Sequence, residues 1–184
     1  MRKLKVFNFL TLNGYYKGPD DDISWNNHDH EENEHAKKGL YADNILLFGR
    51  VTYEMMAGFW PTSQALQQMP EIAKGMNSAE KIVFSSTLKN PQWEHTSVIG
   101  KDIVSAIRAM KQSAGKDLTI LGSGSIISQF ADAELIDEFE LMINPVALGS
   151  GTSFLHNIKN TLSLQLITTR VLKNGCIVLN YQPK

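Results

Sequence analysis

The sequence predicts an α/β fold in three layers: a mostly parallel central sheet of about eight strands, helices on both faces, and an antiparallel C-terminal hairpin. Three observations carry that prediction. Short apolar, β-branched runs alternate with helix-patterned stretches as far as Asn144. Three of those runs stop at Gly, Ser, Thr or Arg, residues that suit the open ends of parallel strands. Beyond Asn144, two longer β-like stretches flank Lys173-Asn174-Gly175, a hairpin signal.

Composition sets the bounds. The 184 residues suit one domain, 1–184, with a sizeable core. At 42% hydrophobic and 20% charged, the chain is globular rather than disordered. A net charge of −1 argues against a nucleic-acid surface or an anionic membrane. No window approaches a membrane span. The opening MRKLKVFNFLTLNG is basic and then apolar, but too short and polar for a signal-peptide core. It reads as the first strand, and a cytoplasmic protein is expected. The single cysteine, Cys176, excludes an internal disulfide and reads as a small core residue.

Lys5 to Leu12 is the first strand, ended by Asn13-Gly14. Tyr15, Tyr16, Gly18-Pro19 and the acidic run Asp20 to Asp22 read as a loop closed by Trp25. Trp25 is either a core anchor or a substrate-facing side chain. His28 to Tyr41 reads as a polar helix with a thin apolar face. Glu31 and His35 lie four apart there and share a face. The spacing is not H-E-x-x-H, so no metal is assigned.

Asn44 to Phe48 is a buried strand, and Gly49-Arg50-Val51-Thr52 turns it into a helix that ends at Pro61. Arg50 offers a guanidinium fork for phosphate, and Thr52 offers a cap or a donor to an anion. Pro70 to Asn77 is a short helix. Lys81 to Ser85 is a strand ending in Ser85, Ser86 and Thr87, and Thr96 to Ile99 is another. Lys101 to Ser113 is an amphipathic helix with Ile103, Ile107 and Met110 on one face.

The stretch Leu118 to Phe130 carries the most chemistry. A four-residue strand stops at Gly122-Ser123-Gly124-Ser125, and Ile126, Ile127 and Phe130 then take helical spacing. Glycines let backbone amides approach an anion, and the new helix adds its unpaired N–H groups and positive end. A phosphate or pyrophosphate is the expected guest. It is not a Walker A sequence, and Ile127 stands where the third glycine of G-x-G-x-x-G would be. A plain strand-to-helix turn is the alternative. Leu135 to Asn144, Leu162 to Leu172 and Cys176 to Tyr181 complete the strands, the first with one wetter face.

These segments together resemble the dihydrofolate reductase superfamily. The closest branch is the one built like the C-terminal reductase domain of the bifunctional riboflavin-biosynthesis deaminase/reductase. Five segments carry the likeness in order: Thr11 to Gly14, Leu46 to Pro61 (LLFGRVTYEMMAGFWP), Lys81 to Leu88, Leu121 to Phe130 (LGSGSIISQF), and Leu135 to Phe154. The resemblance implies an NADPH-dependent reductase that passes a hydride to a small heterocyclic, pteridine- or pyrimidine-like, or carbonyl or imine substrate. A non-catalytic NADP(H)-binding sensor or structural protein of the same fold is the alternative. It implies that Gly49, Arg50 and Thr52 meet the cofactor's phosphates, with Arg50 near the 2′-phosphate. Ser85 and Ser86 would lie by the adenosine ribose. Gly122, Ser123, Gly124, Ser125 and Ile126 would hold the pyrophosphate. Phe9, Asn13, Gly14 and Tyr16 would line the nicotinamide. The substrate region would hold Trp25 and His28, with Glu31 or Glu32 as the orienting acid. A homodimer through the C-terminal strands is expected, with Leu164, Leu166, Ile177 and Leu179 at the contact.

Overall fold

Alternation in the first strand decides what the sheet buries. Strand β1, Leu4–Thr11, sends Leu4, Val6 and Leu10 into one core and leaves Lys5, Phe7 and Phe9 half-buried on the other face. The computed structural model describes residues 1–26, 29–40 and 43–184. After β1 the chain runs through β2 (Tyr15–Lys17), α1 (His30–Leu40), β3 (Ile45–Gly49), α2 (Arg50–Phe59), α3 (Ser63–Gln68) and α4 (Pro70–Ser78). It continues through β4 (Lys81–Phe84), β5 (Thr96–Ile99), α5 (Ile103–Gln112), β6 (Leu118–Leu121) and α6 (Gly124–Asp132). The last elements are β7 (Glu138–Asn144), β8 (Thr152–Ser153), β9 (Leu164–Val171) and β10 (Ile177–Pro183). Among the described residues, no helix is long and apolar enough to cross a membrane.

The main sheet has eight strands in the order β5-β4-β3-β6-β1-β7-β10-β9. The six from β5 to β7 are parallel, and β10 and β9 pair antiparallel at one edge. This is the expected architecture. A second, two-stranded ribbon pairs β2 with β8. The stretch from Tyr15 to Trp25, expected as loop, is therefore strand over Tyr15–Lys17. Leu12, expected in β1, is 71% exposed and lies beyond its end.

Helices α5 and α6 cover one face. Ile107, Ile126, Ile127 and Phe130 join Leu4, Val6, Leu118 and Ile120 in one apolar cluster. Each such side chain contributes roughly 1.5–3 kcal/mol when fully buried. On the other face, Tyr53 of α2 and Ile72 and Met76 of α4 pack on Leu46, Phe48 and Val83. Lys81 aligns that layer from within β4. Its buried ammonium donates to the carbonyls of Asn77 (3.1 Å), Ala79 (2.6 Å) and Glu94 (3.1 Å), and lies 4.6 Å from the Trp93 ring centre. Burial pulls its pKa down to about 8.

Helix α1 is on this second face but is held differently. Its sequence is mostly polar, with Glu31 and Glu32 in the first turn, where carboxylates suit the helix dipole. Asp29 accepts from the Glu32 amide at 2.9 Å, as an N-cap does. Side-chain bonds to the C-terminal hairpin fix the helix.

Candidate active site

The order of the sheet creates the site. From β3 the chain moves outward to β4 through α2 on one face. From β6 it crosses β1 to reach β7 through α6 on the other face. Between the ends of β3 and β6 the two helices diverge, and a crevice opens at their amino ends. The two turns are tied together: the Gly49 amide donates to Ser123 Oγ at 2.9 Å, and that hydroxyl donates to the Leu121 carbonyl at 3.1 Å.

The β6 turn is strained in the way the glycines suggest. Gly122 (φ 60) and Ser123 (φ 58) both adopt left-handed conformations, and α6 starts at Gly124. A Cβ on Gly122 would meet Thr52 Cγ2 at 3.0 Å. A Cβ on Gly124 would meet ring carbons of Tyr16 at 2.9 Å. The Tyr16 hydroxyl lies against this turn, 3.0 Å from where a Cβ on Gly124 would stand. Burial pushes that phenol above its ordinary pKa, while the Lys17 ammonium pulls against it. A protein oxygen thus sits beside the start of α6, where an anion would meet the helix amides.

A cleft of about 800 Å³ extends from these turns across the sheet, between α1 and α2. Of the residues expected at a cofactor, Phe9, Tyr16, Gly49, Arg50, Thr52 and Gly122 to Ile126 line it. Ser85 and Ser86 line an adjoining groove of about 640 Å³, which shares Arg50, Phe84 and Ile126 with the cleft. Ser85 Oγ accepts from the amides of Thr87 (3.2 Å) and Leu88 (3.0 Å) and so shapes that groove's turn. Arg50 stands at the junction, with Nη1 2.8 Å from Glu54 Oε2. Thr52 is not the helix cap; Gly49 takes that place, and Thr52 packs on Gly122.

Asn13 and Gly14 do not line the cleft. Asn13 bridges to Leu148, donating to its carbonyl at 2.7 Å and accepting from its amide at 3.2 Å. Gly14 (φ 82) makes the turn into β2, and its carbonyl accepts from the Phe154 amide at 2.8 Å. The pair shapes the turn into β2.

The acids expected at the substrate face elsewhere. Glu31 accepts from Arg170 Nη2 (2.8 Å) and the Lys173 amide (2.9 Å), which hold its carboxyl below the usual carboxylate range. Glu32 is 1% exposed and accepts from Asn174 Nδ2 (2.6 Å) and Cys176 Sγ (2.8 Å). Burial and the Glu32 carboxylate push the Cys176 thiol up to about 12. Both glutamates, expected as the orienting acid, bind the hairpin, and neither is among the residues that line the cleft. Glu31 and His35 do not converge, because His35 turns to a different partner. Trp25 lines the cleft and donates to the Asp22 carbonyl at 3.2 Å. His28 lies outside the described residues.

His35 of α1 and Glu140 of β7 both line the cleft and pair there, Nε2 to Oε1 at 2.8 Å. The His35 ring lies 6.4 Å from that of Phe7. The wetter face of the β7 segment is the one sequence signal that marked Glu140. Nothing local joined it to His35, 105 residues away.

With this geometry in view, comparisons with known proteins are informative. The chain is 27% identical over 172 residues to the uncharacterized protein YyaP of Bacillus subtilis (strain 168), covering 94% of this chain and 90% of that protein. A diaminohydroxyphosphoribosylaminopyrimidine deaminase/5-amino-6-(5-phosphoribosylamino)uracil reductase from Thermotoga maritima superposes with a TM-score of 0.72 at 13% identity, over all of this chain and 57% of that one. Dihydrofolate reductase from Enterococcus faecalis, complexed with NADP(H), superposes with a TM-score of 0.68 at 15% identity, over 99% of this chain and 96% of that one. The model of the RibD C-terminal domain matches residues 2–178, and the chain belongs to that family.

Proposed function

We propose that the protein is an NADPH-dependent reductase that delivers a hydride to a C=N or C=O carbon of a small heterocyclic, carbonyl or imine substrate. The observation that carries this reading is the crevice between β3 and β6. Two glycine turns, locked by the Gly49–Ser123 bond, face one cleft whose far end is apolar. Family membership and the NADP(H) complex of the enterococcal neighbour support the same reading.

The residues fit such a cofactor. Gly122 to Ile126 form a cradle that a Cβ would fill, and the Tyr16 hydroxyl lies against it. The pyrophosphate would lie there, beside the Tyr16 hydroxyl. Arg50, Ser85 and Ser86 would take the adenosine end in the adjoining groove, with Arg50 at the 2′-phosphate. Phe9 and Tyr16 would flank the nicotinamide, which supplies the hydride.

The chain's own part is to align, to exclude water and to hold a proton. Phe7, Phe9 and Trp25 give the inner cleft its apolar lining. The His35–Glu140 pair, joined through Nε2 and Oε1, would hold the proton that the substrate's nitrogen or oxygen takes as the hydride arrives. The protein would act as a cytoplasmic homodimer. Its β9 edge, with Leu166 and Ile167 each 48% exposed and Val171 67% exposed, suits a second copy.

The test is direct. NADPH should raise the melting temperature more than NADH does, since a ligand that binds only the folded state stabilises it. Candidate heterocycles and carbonyl compounds should then consume nicotinamide absorbance. No shift with either nucleotide removes the reading.

A further inference from the structure

Strand register lays the floor of the cleft in two rows. Leu46, Thr119, Lys5 and Glu138 run across β3, β6, β1 and β7. One step along, Leu121, Phe7, Glu140 and Asn180 run across β6, β1, β7 and β10. Both rows line the cleft. Their two ends differ in chemistry. Past Leu46 the wall is built by Met55, Met56, Trp60, Met69, Ile72 and Met76. Four thioethers in one wall make it apolar and adaptable in shape. The opposite end is acidic, with Glu138 and Glu140 side by side on one face of β7.

The cations of the cleft are already engaged. Among the described residues, Lys5, Lys17 and Arg50 are its only lysine and arginine lining. Lys5 lies between Asp117 (3.4 Å) and Glu138 (3.6 Å). Lys17 is paired with Asp21, and Arg50 with Glu54 (2.8 Å) at the far junction. A phosphate seated between the methionines and β7 would meet no unspent positive partner and two carboxylates.

On the reductase reading given above, we infer that the substrate is an apolar, phosphate-free molecule seated against the methionine wall, and that the acidic end of the floor selects against anionic substrates. This separates the chain from the phosphoribosyl-bearing uracil compound that gives the Thermotoga neighbour its name. Apolar surface against Met56 and Met76 supplies the affinity, and the neutral or N–H-bearing edge turns to Glu140 and His35.

A matched pair of probes tests the inference: 2-naphthol and 2-naphthyl phosphate, titrated by calorimetry into the whole protein. Excess inorganic pyrophosphate in every titration fills the glycine turn, so that only the inner cleft is read. The neutral probe should bind at least about tenfold more tightly. Met55→Lys, at a position 38% exposed and therefore tolerant of a longer polar side chain, should reduce that preference at least about fivefold. Equal or tighter binding of the phosphate, or a preference that Met55→Lys leaves unchanged, overturns the inference. A missing NADPH thermal shift ends the reductase reading by itself, and the probe ratio still decides the character of the pocket.

Discussion

The β3–β6 crevice and helix α1 border the same cleft and are made in opposite ways. The crevice is local: a strand, a glycine, a helix, twice over, with one serine hydroxyl joining the two turns. Helix α1 is remote in its supports. Glu31 and Glu32 reach Arg170, Lys173, Asn174 and Cys176 of the hairpin, some 140 residues along the chain. The difference teaches where acids near a cleft belong. Two carboxylates on the helix beside the cleft serve as its anchors, and the sheet supplies Glu138 and Glu140 to the cleft itself.

If that division is correct, damage to the anchors should cost stability, and damage to the crevice should cost cofactor. The largest effect is expected from Glu32→Ala. It strands the Asn174 amide and the Cys176 thiol and leaves a hole, at a cost of roughly 3 kcal/mol. For a chain of this size that is about 6–12 °C in melting temperature. The NADPH-induced shift should survive; its disappearance from a still-folded variant would merge the two regions. Arg50→Ala comes next. It should weaken NADPH roughly tenfold more than NADH, as loss of a charge-assisted pair to one phosphate requires. Equal weakening, measured by calorimetry, removes Arg50 from the 2′-phosphate.

Gly124→Ala should weaken both nucleotides by roughly fivefold, because the new methyl fills the cradle at the start of α6 that the pyrophosphate would occupy. An unaltered affinity for both would show that the amide end of α6 is not the anion site. The smallest effect concerns pH. The Cys176 thiol ionises near 9.0 when unfolded and near 12 in the fold. Between those values the unfolded chain binds fewer protons, so stability falls as pH rises from 9 to 12. Cys176→Ala should flatten that part of the stability curve relative to the parent. An unchanged slope would detach Cys176 from the buried Glu32.

What the sequence disclosed follows the same division. β3, β4 and β6 announce themselves as apolar runs, and Gly49 and Gly122 to Gly124 announce the turns, because both are properties of adjacent residues. Helix α1 was legible as a helix, but not the direction of its side chains. Its apolar face is too thin to fix its rotation, so the direction of Glu31 and Glu32 could not be read. The β2–β8 ribbon spans three residues and two, too few for any period to show. It exists because Tyr15 and Lys17 meet Ser153 and Thr152 across a closed fold. The methionine wall combines two helices, and each half alone reads as ordinary core.

Tyr16 gives that small ribbon a weight beyond its length. Its hydroxyl lies against the start of α6, and the ring's strand neighbour Lys17 is bound in turn to Asp21. On the proposed reading, an incoming diphosphate would meet a tethered phenol before it gains the helix. Loading of the crevice would then move the Tyr15–Lys17 strand, and with it the paired strand β8.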